Sequence, residues 1–537
     1  MRKVRIRGDP HESAAPPLLV AILLAVIVWL AARVPGALLD LFEQGHWLGP
    51  ASDMLAGKVP YRDTFPIHGF LSDGGLDYFL FQAAGANFAT SVNARQFLGS
   101  WFQPAIFLVA AAASRRPMLA IAAIPLNLGM STAIIADRPV LPLLSLATFA
   151  WAIGERRSKP AAFVAGALAS VGLLYALEFG LYVLAAELIT LLLCGLVSRP
   201  RACFIDRTAF LGGLGAVLIP WFALLAAWRA LGPFLRVSFW DLPVRFHSMW
   251  PMPFPGPGTV FRELASGRAD FLKELGVSPD LARRLYLAPL IGTLGVATAL
   301  WHRARGGSPV LSLRLLVVSL ASLAFFRSVV ARFHVEAGNA LAGPVLFLIL
   351  VAASELFRNR RWARIAFASV GLLVVLALSG PSRVFAVFRG ATQFRRRTAV
   401  LPWTVPLDVP RGGGIRVPRD EEQNLRALID FTEQHAAPKA PILDLSNRPS
   451  LYFFTRRVNP TRFYQVPPMA AFEDEVLRSI QARRPALVLL RSGGWLDAID
   501  GVPNSRRIPR VWSWVLDNYP MRAKVGDTIV ALPADAE

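Results

Sequence analysis

The sequence predicts an α-helical polytopic membrane protein with about 11 transmembrane helices and a C-terminal α/β domain on the external side. Three observations carry this. Only 17% of the 537 residues are charged, against about 25% in an ordinary soluble domain. Hydrophobic residues make up 54% of the chain, and the mean hydropathy is +0.45. The basic residues between apolar segments fall predominantly on alternate turns, as the positive-inside rule requires. A soluble multidomain enzyme is excluded. So is disorder, because long apolar runs and 11% aromatic residues can bury themselves.

Residues 1–17 form a basic, cytoplasmic N-terminus carrying Arg2, Lys3, Arg5 and Arg7. The first apolar segment, 18–39, looks like a signal peptide, but it is long for one and lacks a clear A-x-A site. It is read as a retained first span. Further spans are predicted near 97–114, 118–136, 139–154, 161–177, 180–198, 209–231, 285–302, 310–330, 338–357 and 363–381. With the N-terminus inside, the cytoplasmic turns hold Arg115-Arg116, Arg156-Arg157, Arg199-Arg201, Arg303-Arg305 and Arg358-Arg360-Arg361. The short external turns hold little beyond Arg138. An odd helix count places the C-terminus outside. The transmembrane domain therefore covers 18–381, with external loops at 40–96 and 232–284, and residues 382–537 form a periplasmic domain. In that domain Gly412-Gly413-Gly414 reads as a linker. Helical patterns follow at 420–435 and 470–483, with strand-like runs at Ala440 to Leu445 and Ala486 to Leu490.

The net charge is +21, with 57 basic residues. Such a balance points to nucleic acid or to an anionic membrane surface. The apolar content and the placing of arginine at helix ends select membrane lipids and exclude nucleic acid as a partner. Cys194 and Cys203 lie near one cytoplasmic turn, so no disulfide framework is expected. Neither a phosphate-cradling G-x-x-x-x-G-K-[ST] loop nor a G-x-S-x-G elbow occurs.

The densest chemistry lies in the first external loop, where Glu43, His46, Asp53, Lys58, Arg62, Asp63, His68, Asp73 and Asp77 follow one another closely. Carboxylates near a bilayer are costly and are functional candidates by default. Glu43 lies just past the first span. A partly desolvated carboxylate there has a raised pKa and suits a general base. The competing reading is a solvated interfacial loop.

The order Phe42-Glu43-Gln44-Gly45-His46, then Leu55 to Lys58, Pro60-Tyr61-Arg62-Asp63 and His68-Gly69 resembles the GT-C superfamily of polytopic glycosyltransferases. It is most similar to bacterial relatives of protein O-mannosyltransferases. Arg332-Phe333-His334 and the tail motif Ser446-Asn447-Arg448-Pro449 add to the resemblance. It departs at one point: many members carry an Asp-Glu pair, whereas Leu41 and Phe42 precede Glu43 here.

The resemblance implies transfer of a sugar from a polyprenyl-phosphate donor to an acceptor hydroxyl at the periplasmic face of a bacterial inner membrane. The acceptor is a glycan, a lipid or a protein. Glu43 would be the base, assisted by Asp63. His46, Arg62, His68, Glu178, Arg327, Arg332 and His334 would bind substrate, the arginines through their match to phosphate. A divalent metal stays open as a cofactor, with Glu43, His46 and His68 as first candidate ligands. Two other readings stand beside this one. A lipid-linked glycan transporter or flippase is disfavoured because the acids cluster outside the bilayer. A non-catalytic envelope-assembly scaffold is kept by the solitary Glu43.

Overall fold

The computed structural model describes residues 15–32, 39–130, 135–154, 159–197, 205–250, 256–266, 279–331, 339–356, 402–491 and 493–534. Apolar helices occupy most of the first part. In chain order they are α1 (Ala15–Ala32), α4 (Phe88–Ser100), α5 (Phe102–Ser114), α6 (Ala123–Met130), α7 (Val140–Ala152), α8 (Lys159–Tyr175), α9 (Leu177–Val197), α10 (Arg207–Ala227), α11 (Pro279–Ala304), α12 (Pro309–Ala331) and α13 (Ala342–Leu356). Two amphipathic helices of the first loop, α2 (Gly45–Leu55) and α3 (Leu76–Ala84), lie between α1 and α4. Among the described residues five helical segments are long and apolar enough to cross a membrane, and five shorter apolar ones accompany them. The last predicted span, 363–381, lies outside the described residues.

Small residues let these helices approach closely, as is usual where lipid offers no hydrophobic drive to association. A Cβ on Gly166 would stand 2.0 Å from the Phe210 carbonyl, and one on Gly213 would stand 2.0 Å from the Phe163 carbonyl. Helices α8 and α10 therefore pack backbone to backbone. Most of the side chains in the core are Ala, Leu, Val and Phe.

The second span starts at Phe88, inside the segment expected to be loop. Asn87 caps α4 by accepting from the Ala89 and Thr90 amides, a cap of the ordinary Asn kind. Hydropathy hides this start because Thr90, Ser91, Asn93, Arg95 and Gln96 are polar. Ser91 and Arg95 are nonetheless buried, where they hydrogen-bond to Asp77.

The C-terminal part is a small α/β unit. Strands β1 (Thr404–Pro406) and β2 (Arg416–Pro418) form an antiparallel hairpin. Gly412 to Gly414 lie in its loop, not in a linker, with Gly413 and Gly414 at positive φ. Strands β3 (Ile442–Asp444), β4 (Leu487–Leu490), β5 (Met521–Val525) and β6 (Thr528–Leu532) form a sheet in the order β3-β4-β6-β5. The β3–β4 pair is parallel and the rest antiparallel. Helices α14 (Arg419–His435) and α15 (Glu473–Ala482) bury one face each. Both carry three carboxylates in the first turn, where the helix dipole favours them.

This unit packs directly on the first loop. Gly45 makes the contact sterically feasible: a Cβ there would stand 2.3 Å from Pro449 Cγ. The Ser450 amide donates to the Leu41 carbonyl. Lys58 donates to the Asn459 and Thr461 carbonyls and pairs with Asp53 at 2.6 Å. The Tyr464 hydroxyl donates to the same Asp53 carboxylate at 2.8 Å. Asp53 is 1% exposed, and burial pushes its carboxyl above the usual range despite Lys58.

Candidate functional site

A cavity of about 440 Å³ lies where the first loop, the α8–α9 turn, the α6–α7 connection and the C-terminal unit meet. Its chemistry-bearing lining is Glu43, His46, His68, Asp137, Arg138, Glu178 and Gln465, with Phe42, Trp47, Phe246 and Trp250 as apolar walls.

Each side chain is held by a local device. Asp40 accepts from the Phe42 and Glu43 amides, which fixes the turn entering α2. Glu43 is exposed on that turn, not partly desolvated as expected. The turn ends the apolar run and leaves the carboxylate at the cavity mouth. His46 lies one turn further, its Nε2 accepting from Gln465 Nε2 at 2.7 Å. Phe42 packs edge-on to His46 at 5.3 Å. His68 is placed from the other side. Its carbonyl accepts from the Leu177 amide at 2.6 Å, and its Nδ1 stands 3.9 Å from Glu178 Oε1. Gly69, at φ +148, permits this approach, because a Cβ there would stand 2.7 Å from the Tyr175 carbonyl.

Asp73 holds the strap carrying His68. It accepts from the Ile67 amide at 2.5 Å and the His68 amide at 2.8 Å. It is 4% exposed, and that burial raises its carboxyl above the ordinary value, while Arg138 and the two amides pull the other way. A carboxyl raised on folding stabilises most below its unfolded pKa and loses that contribution as pH climbs through the folded value. Asp73→Ala is expected to cost about 1–3 kcal/mol by orphaning buried amides. The loss should be greater in acid than at neutral pH, which thermal unfolding in detergent across pH measures.

Arg138 is the residue that sequence reasoning passed over. It was noted only as a basic residue on the external side. In the structure it lines the cavity within electrostatic reach of both Asp73 and Glu178. The signal was present: Asp137-Arg138-Pro139 is a charged pair directly before an apolar helix on the sparsely charged side. Asp137 is tied down by the Tyr175 hydroxyl at 2.6 Å and Arg95 Nη1 at 3.2 Å. The backbone beside it therefore presents Arg138 from a fixed point.

The other candidates fall elsewhere. Arg62 and Asp63 do not line this cavity. They pair with each other at 2.7 Å, and Asp63 also accepts from the Val59 amide at 3.0 Å. Partial burial alone raises the Asp63 carboxyl, but the bonds from Arg62 and Val59 outweigh it and hold the group below the ordinary range. Asp63 thus closes a turn of the loop as a committed carboxylate, a poor proton acceptor. Arg327 is exposed and lies near Tyr182, beside the cavity-lining Ser328. Arg332 and His334 lie outside the described residues. His46 and His68 have ring centroids 5.6 Å apart. Among the described residues no three His, Cys, Asp or Glu side chains converge as a metal-ion site.

A polytopic helical domain thus carries a small α/β unit seated on its first loop, with an ionic cavity at their junction. The structure is similar over its whole length to ArnT from Cupriavidus metallidurans bound to undecaprenyl phosphate. The TM-score is 0.50 at 13% identity, covering 97% of this chain and 98% of that one. The apo state of that protein gives a TM-score of 0.49 at 14% identity, again covering 97% and 98%. The apo oligosaccharyltransferase of Archaeoglobus fulgidus gives 0.42 at 13% identity, covering 89% of this chain and 69% of that one. No protein-family model and no curated protein matches the sequence. The chain has the GT-C fold; the likeness does not single out the O-mannosyltransferase branch.

Proposed function

We propose that the chain is a membrane glycosyltransferase that moves a sugar from a polyprenyl-phosphate donor to an acceptor hydroxyl at the periplasmic face of a bacterial inner membrane. The observation that carries this reading is the cavity in which Glu43, Glu178 and Arg138 face one space. The chemistry needs a base for the acceptor and a cation for the leaving phosphate. The acceptor oxygen attacks the anomeric carbon, its proton passes to a carboxylate, and the bond from that carbon to the phosphate oxygen breaks. Arg138 meets the departing phosphate. Glu43, at the solvent-facing mouth, takes the proton. Glu178 and Asp73 lie within electrostatic reach of the guanidinium and favour its placement before the donor arrives. The solved ArnT structure, bound to undecaprenyl phosphate, supports a lipid-phosphate donor on this fold.

The test compares envelope glycans and polyprenyl-phosphate sugars by mass spectrometry in a deletion strain complemented with the wild type or with Arg138→Gln. Loss of a fixed charge aimed at a developing oxyanion costs roughly 100- to 1,000-fold in rate. One glycan is expected to lose a sugar, and the matching lipid-linked donor to accumulate, in both the deletion and the variant. A wild-type glycan pattern in the deletion, or full rescue by Arg138→Gln at equal membrane levels, overturns the reading.

A further inference from the structure

A second ionic feature lies away from the cavity, where the C-terminal unit meets the first loop. One cleft of about 670 Å³ is lined by Lys58, Arg62, Arg462, Arg478 and Arg483. A neighbouring one of about 670 Å³ is lined by Arg411, Lys439, Arg456 and Arg457. Ala56 and Val458 belong to both walls, so the two clefts adjoin and are read together as a groove.

Its charge is not balanced. The carboxylates on the walls are Asp53, Asp63, Glu433 and Glu475. Lys58 already matches Asp53, Arg62 matches Asp63, and Arg462 matches Glu475. Arg411, Lys439, Arg456, Arg457, Arg478 and Arg483 then face only Glu433. Among the described residues none of these six has a carboxylate within ion-pair distance. The crowding is felt: burial, and then the neighbouring Arg456, push the Arg411 guanidinium down to about 10. Arg411 is nonetheless fixed in place, donating to Ser52 Oγ at 3.1 Å and to the Phe453 carbonyl at 3.0 Å. The half-exposed Ser479 adds a hydroxyl to the same walls.

A fixed excess of guanidinium groups in a concave site concentrates anions, and each planar fork matches a carboxylate or phosphate bidentately. Two clefts end to end suit a chain better than a flat sheet of headgroups. We propose that this groove binds an anionic glycan, its charged groups meeting the arginines and its hydroxyls meeting the half-exposed Ser479. The transferase reading enters only in making that chain the acceptor, and binding is read without donor or turnover.

The full-length protein in phosphatidylcholine nanodiscs is titrated with a fluorescent polygalacturonate oligomer, with inorganic polyphosphate and with neutral dextran. The triple variant Arg456→Gln, Arg478→Gln, Arg483→Gln removes three exposed groove cations. Arg419→Gln, Arg506→Gln, Lys524→Gln removes the same charge from exposed positions elsewhere. Exposed charge contacts are individually weak, so the groove variant is expected to weaken polyanion binding on the order of tenfold, and the control little. Added salt should weaken what remains. Tighter polygalacturonate assigns a uronate-bearing chain, and tighter polyphosphate a phosphate-bearing one. Equal loss in both triple variants overturns the groove. So does loss confined to flotation with phosphatidylglycerol vesicles, which transfers the site to the membrane surface.

Discussion

Glu43→Gln is expected to lower sugar transfer roughly 100- to 10,000-fold, the range of a positioned general base. Glu178→Gln should cost less. The two carboxylates share one cavity but not one environment. Glu43 is exposed at the edge of the cavity. Glu178 is in the first turn of α9, 3.9 Å from His68 Nδ1 and within reach of Arg138. Facing both His68 and Arg138, Glu178 is assigned the orienting role, and the exposed Glu43 the proton-accepting one. The expected split is therefore kinetic. Glu43→Gln loses turnover with donor binding retained, whereas Glu178→Gln raises the apparent KM for donor by loosening Arg138. Purified enzyme in detergent, assayed with a polyprenyl-phosphate sugar and checked for folding by its unfolding midpoint, reads both. If Glu178→Gln is the silent-turnover variant and Glu43→Gln keeps activity, the roles are reversed. If both keep activity, the scaffold reading takes over.

How much of this was legible in the sequence follows from which forces act locally. Apolar helix positions were, because burial in lipid needs a continuous apolar run. Described helices stand near 139–154, 161–177 and 310–330 as predicted, at Val140–Ala152, Lys159–Tyr175 and Pro309–Ala331. The tail's strands at Ile442–Asp444 and Leu487–Leu490 were also visible as short β-branched and leucine runs. The start of the second span at Phe88 was not, because its polar residues satisfy one another across elements that only the fold brings together. The site was half legible. Glu43, His46, His68 and Glu178 were singled out by charge in apolar surroundings and do share a cavity. Arg62 and Asp63 carry the same charge signal but neutralise each other. Arg138 was missed because a lone external arginine reads as a topology marker until its partners, distant in sequence, are placed beside it.

The largest loss of stability is expected from Arg95→Met. Arg95 is 7% exposed and Asp77 is fully buried. Arg95 Nη2 meets Asp77 at 2.5 Å and the Ser72 carbonyl at 2.7 Å, while Nη1 meets Asp137 at 3.2 Å. The guanidinium also lies 4.1 Å from the Trp47 ring centroid, and Trp47 donates to Ser91, which donates to Asp77. One side chain thus ties α2, α3, α4 and the turn before α7 together. Met matches its length and flexibility but leaves Asp77 and Asp137 without their cation. Removing one partner of a buried pair costs about 3–5 kcal/mol, because the remaining charge is stranded. The unfolding midpoint in detergent should fall accordingly. Arg95→Lys should fall between, since one ammonium cannot reproduce the fork to both carboxylates and the carbonyl. Asp77→Asn combined with Arg95→Met should cost less than the two single losses added, because the stranded charge is gone. The network also fixes Asp137, the residue next to Arg138. Arg95→Lys protein that remains folded should therefore bind donor more weakly as well. Unchanged stability in Arg95→Met would mean that water or a second cation compensates the carboxylates, and the positional hold on Arg138 would have to come from Tyr175 alone.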